Sequence, residues 1–335
     1  MSRKSFGCLS IFLFAALGAS VLVNVALLLK SAQVDSPRSM APHEHLEETV
    51  VQAAQNGTDK KIALLELTGL ISGAEPGEYT TTAVEDLKLE LNQAAADPDV
   101  RALVLHIDSP GGEVTASDIL YRAVRRVREE SGKPVVVSMG SLAASGGYYV
   151  ACGGSWLIAH ETTFTGSIGV IMNALNYQQL FTKLGLESIT FKSGAFKDML
   201  SGSRAMTEPE RDYIQKMVLQ TYDQFVGIVA QERGLPEADL RATWADGRVI
   251  SGKDALPAKL VDQLGGIEDA YAKAMALAGA PGAAVIRYES GFHLGHWLRL
   301  LGQSGRAKVE LNLPQPLSAK LEEGRFYYLP SFYSR

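Results

Sequence analysis

Cysteine is nearly missing from this sequence, with two in 335 residues. Cys8 lies in an apolar run near the start and Cys152 deep in the chain. No disulfide framework and no zinc-type spacing can be built from them. Basic charge is not in excess either. Thirty-two Lys and Arg stand against 37 Asp and Glu, a formal net charge of -5. That excludes a broad electropositive face, and with it the usual footprint of a nucleic-acid partner. Histidine is scarce, six in all, and none has flanking residues that mark a member of a catalytic triad. The G-x-S-x-G pattern of a nucleophile elbow is absent. What remains is an ordinary globular composition, 46% hydrophobic and 21% charged. It is long enough for one large domain or two modest ones.

One long hydrophobic run is present. Cys8 to Leu29 carries no charge, and is bracketed by Arg3 and Lys4 before it and Lys30 after it. About 20 helical residues cross a hydrocarbon core. A cleavable signal has a shorter apolar core, roughly 7–15 residues. Residues 8–29 therefore read as an uncleaved transmembrane anchor; a long signal peptide removed near Ala32 is the alternative. Positive charge before the span places residues 1–7 in the cytoplasm. Residues 30–60 are polar, with Pro37, Pro42 and Gly57, and read as a tether. His43 and His45 lie within it, too isolated for a metal site. Asn56-Gly57-Thr58 fits a glycosylation sequon that chance also explains.

From Lys61 the pattern changes. Ile62–Leu67, Ala102–Ile107, Pro134–Met139, Trp156–Ala159 and Ser188–Lys192 read as strands. Helical patterns cover Thr82–Ala96, Ala116–Glu130, Ser145–Cys152, Asn176–Leu184 and Glu208–Arg233. Two more cover Gly252–Leu264 and Ile267–Leu277. The longest is entered through Thr207 with Pro209 in its first turn. Strands alternating with such helices predict an α/β fold with βαβ crossovers. No internal repeat is visible. The expected catalytic unit is 61–284. Residues 285–335 form an extension of undefined role, without periodicity until Phe326-Tyr327-Tyr328.

Two small-residue segments can carry chemistry. Asp108-Ser109-Pro110-Gly111-Gly112 follows a strand, and its glycines free backbone N–H groups to build one wall of an oxyanion hole. An ordinary Pro-Gly turn explains the same residues. Ser145 stands in Ala143-Ala144-Ser145-Gly146-Gly147, where small neighbours permit a sharp strand-to-helix turn. The helix dipole would then favour negative charge at its hydroxyl. A plain N-cap serine is the competing explanation. A serine nucleophile needs a base. His160, 15 residues on, is the best-placed histidine. A lysine can serve only where burial disfavours its charged form. Lys197 lies in a Gly-containing loop between Phe196 and Met199, which could desolvate it; its pattern is otherwise that of a solvated lysine.

Read together, the segments resemble the signal peptide peptidase A family, a Ser–Lys branch of the Clp protease/crotonase superfamily. The matching motifs are Asp108–Gly112, Ser138–Tyr149, Thr165–Val170, Lys192–Asp198, and Gly247–Ala255 with Leu260–Gly266. The resemblance covers about residues 60–280, and five motifs in order are specific. Pro257-Ala258-Lys259 departs from the family's glycine there, and the last 50 residues match poorly.

The resemblance implies a Clp protease/crotonase-like fold of repeated ββα units after one N-terminal transmembrane helix. It implies Ser145 as nucleophile, Lys197 as general base and Ser167 as the hydroxyl that orients the lysine. Gly146 would be one oxyanion donor, with Gly111 or Gly112 the other. No metal or organic cofactor is needed. The implied substrates are remnant signal peptides, with small or apolar residues near the cut. The implied setting is a bacterial-type cytoplasmic membrane, with a single-pass anchor and the catalytic domain on the extracytoplasmic side. Family members form homo-oligomers, and one site can draw its serine and lysine from neighbouring subunits. Three alternatives remain: a membrane protease for membrane proteins or lipoproteins, a crotonase-type acyl-CoA hydratase or isomerase, and a non-catalytic scaffold.

Overall fold

Hydrophobic runs too continuous for a one-sided strand build the centre of the sheet. Strands β2 (Lys61–Ile71), β3 (Val100–Glu113) and β4 (Val135–Ala144) are buried on both faces and pair in parallel, as expected where helices cover both sides. The computed structural model describes Ser20 and residues 46–55, 57–73, 83–289 and 326–330. Apart from Ser20, the expected anchor at 8–29 lies outside these, as do His43, His45, His293 and His296. Among the described residues no helix is long and apolar enough to cross a membrane. The chain divides into units at 1–45 and 46–335, and everything below concerns the second.

The ten-stranded sheet adds β1 (Glu47–Gln52), β5 (Trp156–Ala159), β6 (Phe164–Gly166), β7 (Val249–Ser251), β8 (Gln263–Leu264), β9 (Ala284–Glu289) and β10 (Tyr327–Tyr328). Its main order is β1-β9-β2-β3-β4-β5-β8. β6 joins β4 and β7, and β10 joins β3. On one face Leu65, Leu103, Leu105 and Val137 meet helices α1 (Ala83–Ala96), α2 (Val114–Arg126), α3 (Gly146–Ala151) and α5 (Glu208–Arg233), with α4 (Gln178–Lys183) before α5 in the chain and α6 (Glu237–Thr243) after it. On the other, Ile62, Val104, Val136 and Ile158 meet Ala270 and Ala274 of α8 (Ile267–Leu277). The expected α/β class holds. So does the entry to α5: Thr207 and Glu210 form a capping box, and Gly234 (φ 63°) ends the helix in the left-handed region.

Four segments differ from expectation. Ser188–Lys192 forms no strand; it is exposed, and no neighbouring strand satisfies its backbone groups. Gly252–Leu264 is not one helix. A short α7 (Gly252–Ala255) stops before Pro257, which supplies no N–H to continue it, and Gln263–Leu264 joins the sheet edge beside β5. Glu47–Gln52, read as tether, pairs antiparallel with β9. β9 itself, read as extension, inserts between β1 and β2.

Candidate active site

Three segments converge at the upper ends of β3, β4 and β6. Strand β4 ends at Ala144, and the next residue, Ser145, turns the chain into α3. It does so with φ 53° and ψ −116°, an unusual conformation for a residue with a Cβ. The turn is held from both sides. The Ser145 N–H donates to the Gly166 carbonyl at 2.8 Å, and the Ser145 carbonyl accepts from Tyr149 N at 2.8 Å. The residue is fully buried, yet its hydroxyl makes no cap bond, and Oγ has no hydrogen-bond partner among the described residues. A buried hydroxyl without a partner costs free energy, and a reactive group is one reason to retain it.

Ser167 stands beside it in register. Ala144 pairs with Gly166 across β4 and β6, and each serine is the next residue of its strand. Ser167 is also buried, and its φ is likewise 53°. Its N–H donates to the Arg248 carbonyl at 2.8 Å. Thr165 Oγ1 donates to the Ala143 carbonyl at 2.7 Å and ties the two strands below the serines.

The glycines close the third side. Gly111 has φ 101°, and a Cβ there would strike the Tyr328 carbonyl and lie 2.5 Å from Gly146 N. A Cβ on Gly146 would meet Ser117 Oγ at 2.5 Å and Gly112 N at 3.0 Å. The backbones of Gly111, Gly112 and Gly146 therefore touch. The Gly111 N–H donates to Ser109 Oγ at 3.1 Å, so it is already engaged. Gly112 in turn is paired with Ile71 of β2 and with Tyr328 of β10. Asp108 Oδ1 accepts from Leu142 N at 2.9 Å and pins the Pro-Gly loop to the serine segment. Sequence reading missed this role of Asp108, although the residue opens the motif.

Of the histidines, two are among the described residues, and neither bonds to Ser145. His160 is exposed with its ring against Gly266, and His106 Nδ1 is buried without a partner in the middle of β3. Cys152 is equally unsuited as a nucleophile, because burial pushes its thiol up to about 12. Among the described residues no cluster of His, Cys, Asp and Glu could hold a metal.

Lys197 is not brought to Ser145 within this chain. It is exposed; its backbone N–H donates to the Gly194 carbonyl at 3.1 Å, but its amine makes no hydrogen bond or ion pair among the described residues. Phe196 packs on Tyr213, with centroids 5.6 Å apart, instead of covering the amine. The loop carrying Lys197 is nonetheless anchored. Asp198 accepts from Lys192 Nζ at 2.6 Å and from Arg204 at 2.6 and 2.8 Å, and Arg204 also holds Glu210 at the start of α5. These partners, Arg204 first, hold the Asp198 carboxyl far below its ordinary range. The surrounding stretch is apolar and uncovered: Leu175, Leu184, Leu186, Ile189 and Phe191 are exposed, Phe191 at 95%.

An aromatic cluster borders the site. Tyr149 of α3 stacks on Tyr328 (5.0 Å) and meets Tyr121 edge-on (5.4 Å), while Phe225 lies 4.7 Å from Tyr328. Burial raises the Tyr149 phenol well above its usual value, and its OH donates to Asp118 Oδ1 at 2.8 Å.

Comparison with known proteins gives a consistent set. A profile described as Peptidase family S49 matches residues 127–280. A protein named as a signal peptide peptidase SppA in Enterococcus faecium is 36% identical over 253 residues, 74% of this chain and 72% of that protein. A protein named as a protease in Synechocystis sp. is 38% identical over 225 residues, 67% of this chain and 77% of its own length. Protease 4 of Salmonella typhi is 34% identical over 227 residues, 66% of this chain but 35% of that longer protein.

Proposed function

Since the chain belongs to peptidase family S49, the family of signal peptide peptidase A, and is a serine peptidase, we propose that it is a membrane-anchored endopeptidase in which Ser145 is the nucleophile, Lys197 of a neighbouring copy the general base, and Ser167 the hydroxyl that orients the lysine amine. Its substrates are remnant signal peptides at the extracytoplasmic face of the membrane. Residues 8–29 hold it there. The catalytic unit takes the Clp protease/crotonase-like arrangement.

The observation that carries this reading is the state of Ser145: buried, at φ 53°, with an Oγ that no group among the described residues bonds. A base must come within hydrogen-bond reach of the proton it takes. Lys197 sits instead on an anchored, outward-facing loop beside uncovered apolar side chains, which supports delivery to a second copy. The match to a peptidase family favours peptide hydrolysis over acyl-CoA chemistry.

In the assembled site, the neutral lysine takes the Ser145 proton as Oγ attacks a peptide carbonyl. The N–H of Gly146, with that of Gly111 or Gly112, receives the developing oxyanion. The amine product leaves with the proton, and water attacks the acyl-enzyme with the lysine again as base. The residues supply a complete acyl-transfer cycle without a cofactor.

The test is peptide hydrolysis by Ser145→Ala, Lys197→Ala and an equal mixture of the two. Each variant alone should be inactive. Reassembly of the mixture should restore about a quarter of the sites, because a shared interface reunites the intact halves. Near-normal activity in either single variant refutes the dyad. A mixture that exchanges subunits without regaining activity refutes the shared site. Activity should also fall as acid protonates the lysine; a flat profile from about pH 9 to about pH 5 would contradict a lysine base.

A further inference from the structure

Strands β3 and β4 lose step just below Ser145. Ile107 pairs with Met139 and Ser109 pairs with Ala143, so β3 advances two residues while β4 advances four. The surplus backbone of β4, Gly140 to Leu142, forms a bulge, a feature that re-aims the residues beyond it. Those residues are Ala143, Ala144 and Ser145. The shape of the bulge therefore sets how far the nucleophile reaches. On the β3 side no ladder position holds Gly140, Ser141 or Leu142.

Two side chains hold it instead. Asp108, the single residue of β3 opposite the bulge, reaches across it, and Oδ1 accepts from Leu142 N at 2.9 Å. It can lie there because residue 140 is glycine: a Cβ would come within 3.1 Å of the Asp108 Cβ and Cγ. From the other edge Thr163 Oγ1 donates to the Gly140 carbonyl at 2.7 Å and accepts from His160 N at 3.0 Å. Thr163 is buried, and its carbonyl accepts from Gly252 N at 2.8 Å. The β3 side is equally fixed. The next residue, Ser109, points to the opposite face of the sheet. Its Oγ donates to the Gly69 carbonyl at 2.6 Å and accepts from Gly111 N at 3.1 Å. Asp108 thus ties a loop that is already anchored to β2 onto the strand that ends in the serine.

We propose that Asp108 and Thr163 are positioning residues, which clamp the Gly140–Leu142 bulge from its two sides and so fix the separation between Ser145 and the Gly111–Gly112 backbone. Both act through the bulge, not on substrate. The proposal rests on Ser145 being the nucleophile. Binding of substrate does not depend on that separation, whereas the transition state does, so release of the clamp should appear in kcat and leave KM nearly unchanged. A misplacement of about 1 Å costs about a hundredfold in rate, which is the loss expected for Asp108→Ala. Asp108→Asn keeps an acceptor in the same place, with a bond about half as strong, and should stay within about fivefold of wild type. Thr163→Val removes one of the two holds and should cost about tenfold. Because both residues act through one bulge, the double variant should be little slower than Asp108→Ala alone.

The experiment measures peptide hydrolysis by the full chain as wild type, Asp108→Ala, Asp108→Asn, Thr163→Val and the Asp108→Ala/Thr163→Val double variant. Competent sites are counted by labelling to completion with a fluorophosphonate probe, which bonds a reactive serine oxygen and releases fluoride; mass spectrometry locates the label. The expected result is a lower kcat per labelled site with KM within about twofold, recovered in Asp108→Asn. An Asp108→Ala chain with wild-type kcat per site overturns the proposal. So does an Asp108→Asn chain as slow as the alanine variant, because the acceptor would then not be what matters. A lower melting temperature and fewer labelled sites, with kcat per site unchanged, makes the two residues structural only and also overturns it. If Asp108→Ala does not fold, Thr163→Val decides, since valine keeps the shape of threonine: unchanged kcat per site there refutes the clamp, and a fall at constant KM supports it. Hydrolysis persisting in Ser145→Ala, or label on another serine, would sink the nucleophile instead, and that result is read without any change at Asp108.

Discussion

Replacing Ser145 should make the fold more stable, and the two smallest replacements should do so by different amounts. The conformation at φ 53°, ψ −116° is the mirror image of an ordinary extended one. It costs a residue with a Cβ about 1–3 kcal/mol, and glycine nothing. The hydroxyl adds a second cost, because a buried donor without a partner forfeits about 1–3 kcal/mol of solvation. Ser145→Ala removes the second cost only, and since the side chain makes no cap bond, no capping energy is lost. Its expected gain is about 1 kcal/mol or more. Ser145→Gly also relieves the backbone, less about 0.5–1 kcal/mol for the freer unfolded chain. The glycine variant should therefore exceed the alanine variant by about 1–2 kcal/mol, which is about 2–8 °C in melting temperature for a domain of this size. Both should be inactive. The assay is thermal or urea unfolding of monomeric and assembled protein. If a neighbour's Lys197 reaches Oγ in the assembly, the alanine gain shrinks there and the glycine-over-alanine difference stays. Ser145→Ala less stable than wild type in the monomer, or Ser145→Gly less stable than Ser145→Ala, would refute the reasoning.

Gly111→Ala should lower kcat/KM by at least about a hundredfold, because its Cβ would strike the Tyr328 carbonyl and Gly146 N where an oxyanion must sit; near-normal kinetics would remove Gly111 from the site. Burial, helped by Asp86 and Glu66, raises the Glu90 carboxyl to about 7. The folded chain therefore binds a proton that the unfolded chain has released. This group costs nothing below about pH 4.5, and its penalty grows as pH rises through about 7. Glu90→Gln should stabilise by about 1–2 kcal/mol at pH 8, after allowance for partial solvent screening, and not at pH 4; urea midpoints at the two pH values check it. Arg204→Ala should free Asp198 and Glu210. Faster amide exchange should then be confined to residues 192–210 and kcat should fall with little change in KM; unchanged kcat would mean that the clamp does not position Lys197.

Much of the central fold was legible because burial leaves a strong mark on sequence. The runs at β2, β3 and β4 are apolar on both faces, and the entry at Thr207 uses side chains whose capping chemistry is local. The serine turn was readable from its small neighbours for the same reason. Edge elements were not. Glu47–Gln52 pairs along one side only and stays exposed, so no periodicity announced it. Tyr327–Tyr328 acquires its meaning from Gly112, more than 200 residues earlier in the chain, a contact that no local window contains. Ser188–Lys192 failed in the opposite sense: β-branched and aromatic residues suggested a strand, but no partner edge is offered. Lys197 is a third kind of case. Nothing around it among the described residues marks it as a base; the proposed dyad takes those surroundings from a second copy.

The ladder between β4 and β6 has a consequence for timing as well as for place. Ser145 and Ser167 follow a paired position on adjacent strands, share one backbone angle, and are joined by the bond from Ser145 N–H to the Gly166 carbonyl. Breathing of the sheet that lifts one strand end carries the other with it. The spacing of the two hydroxyls is thereby insulated from motions elsewhere, like two pegs on one rail. In the proposed site, a lysine from a second copy would meet a preset pair of hydroxyls.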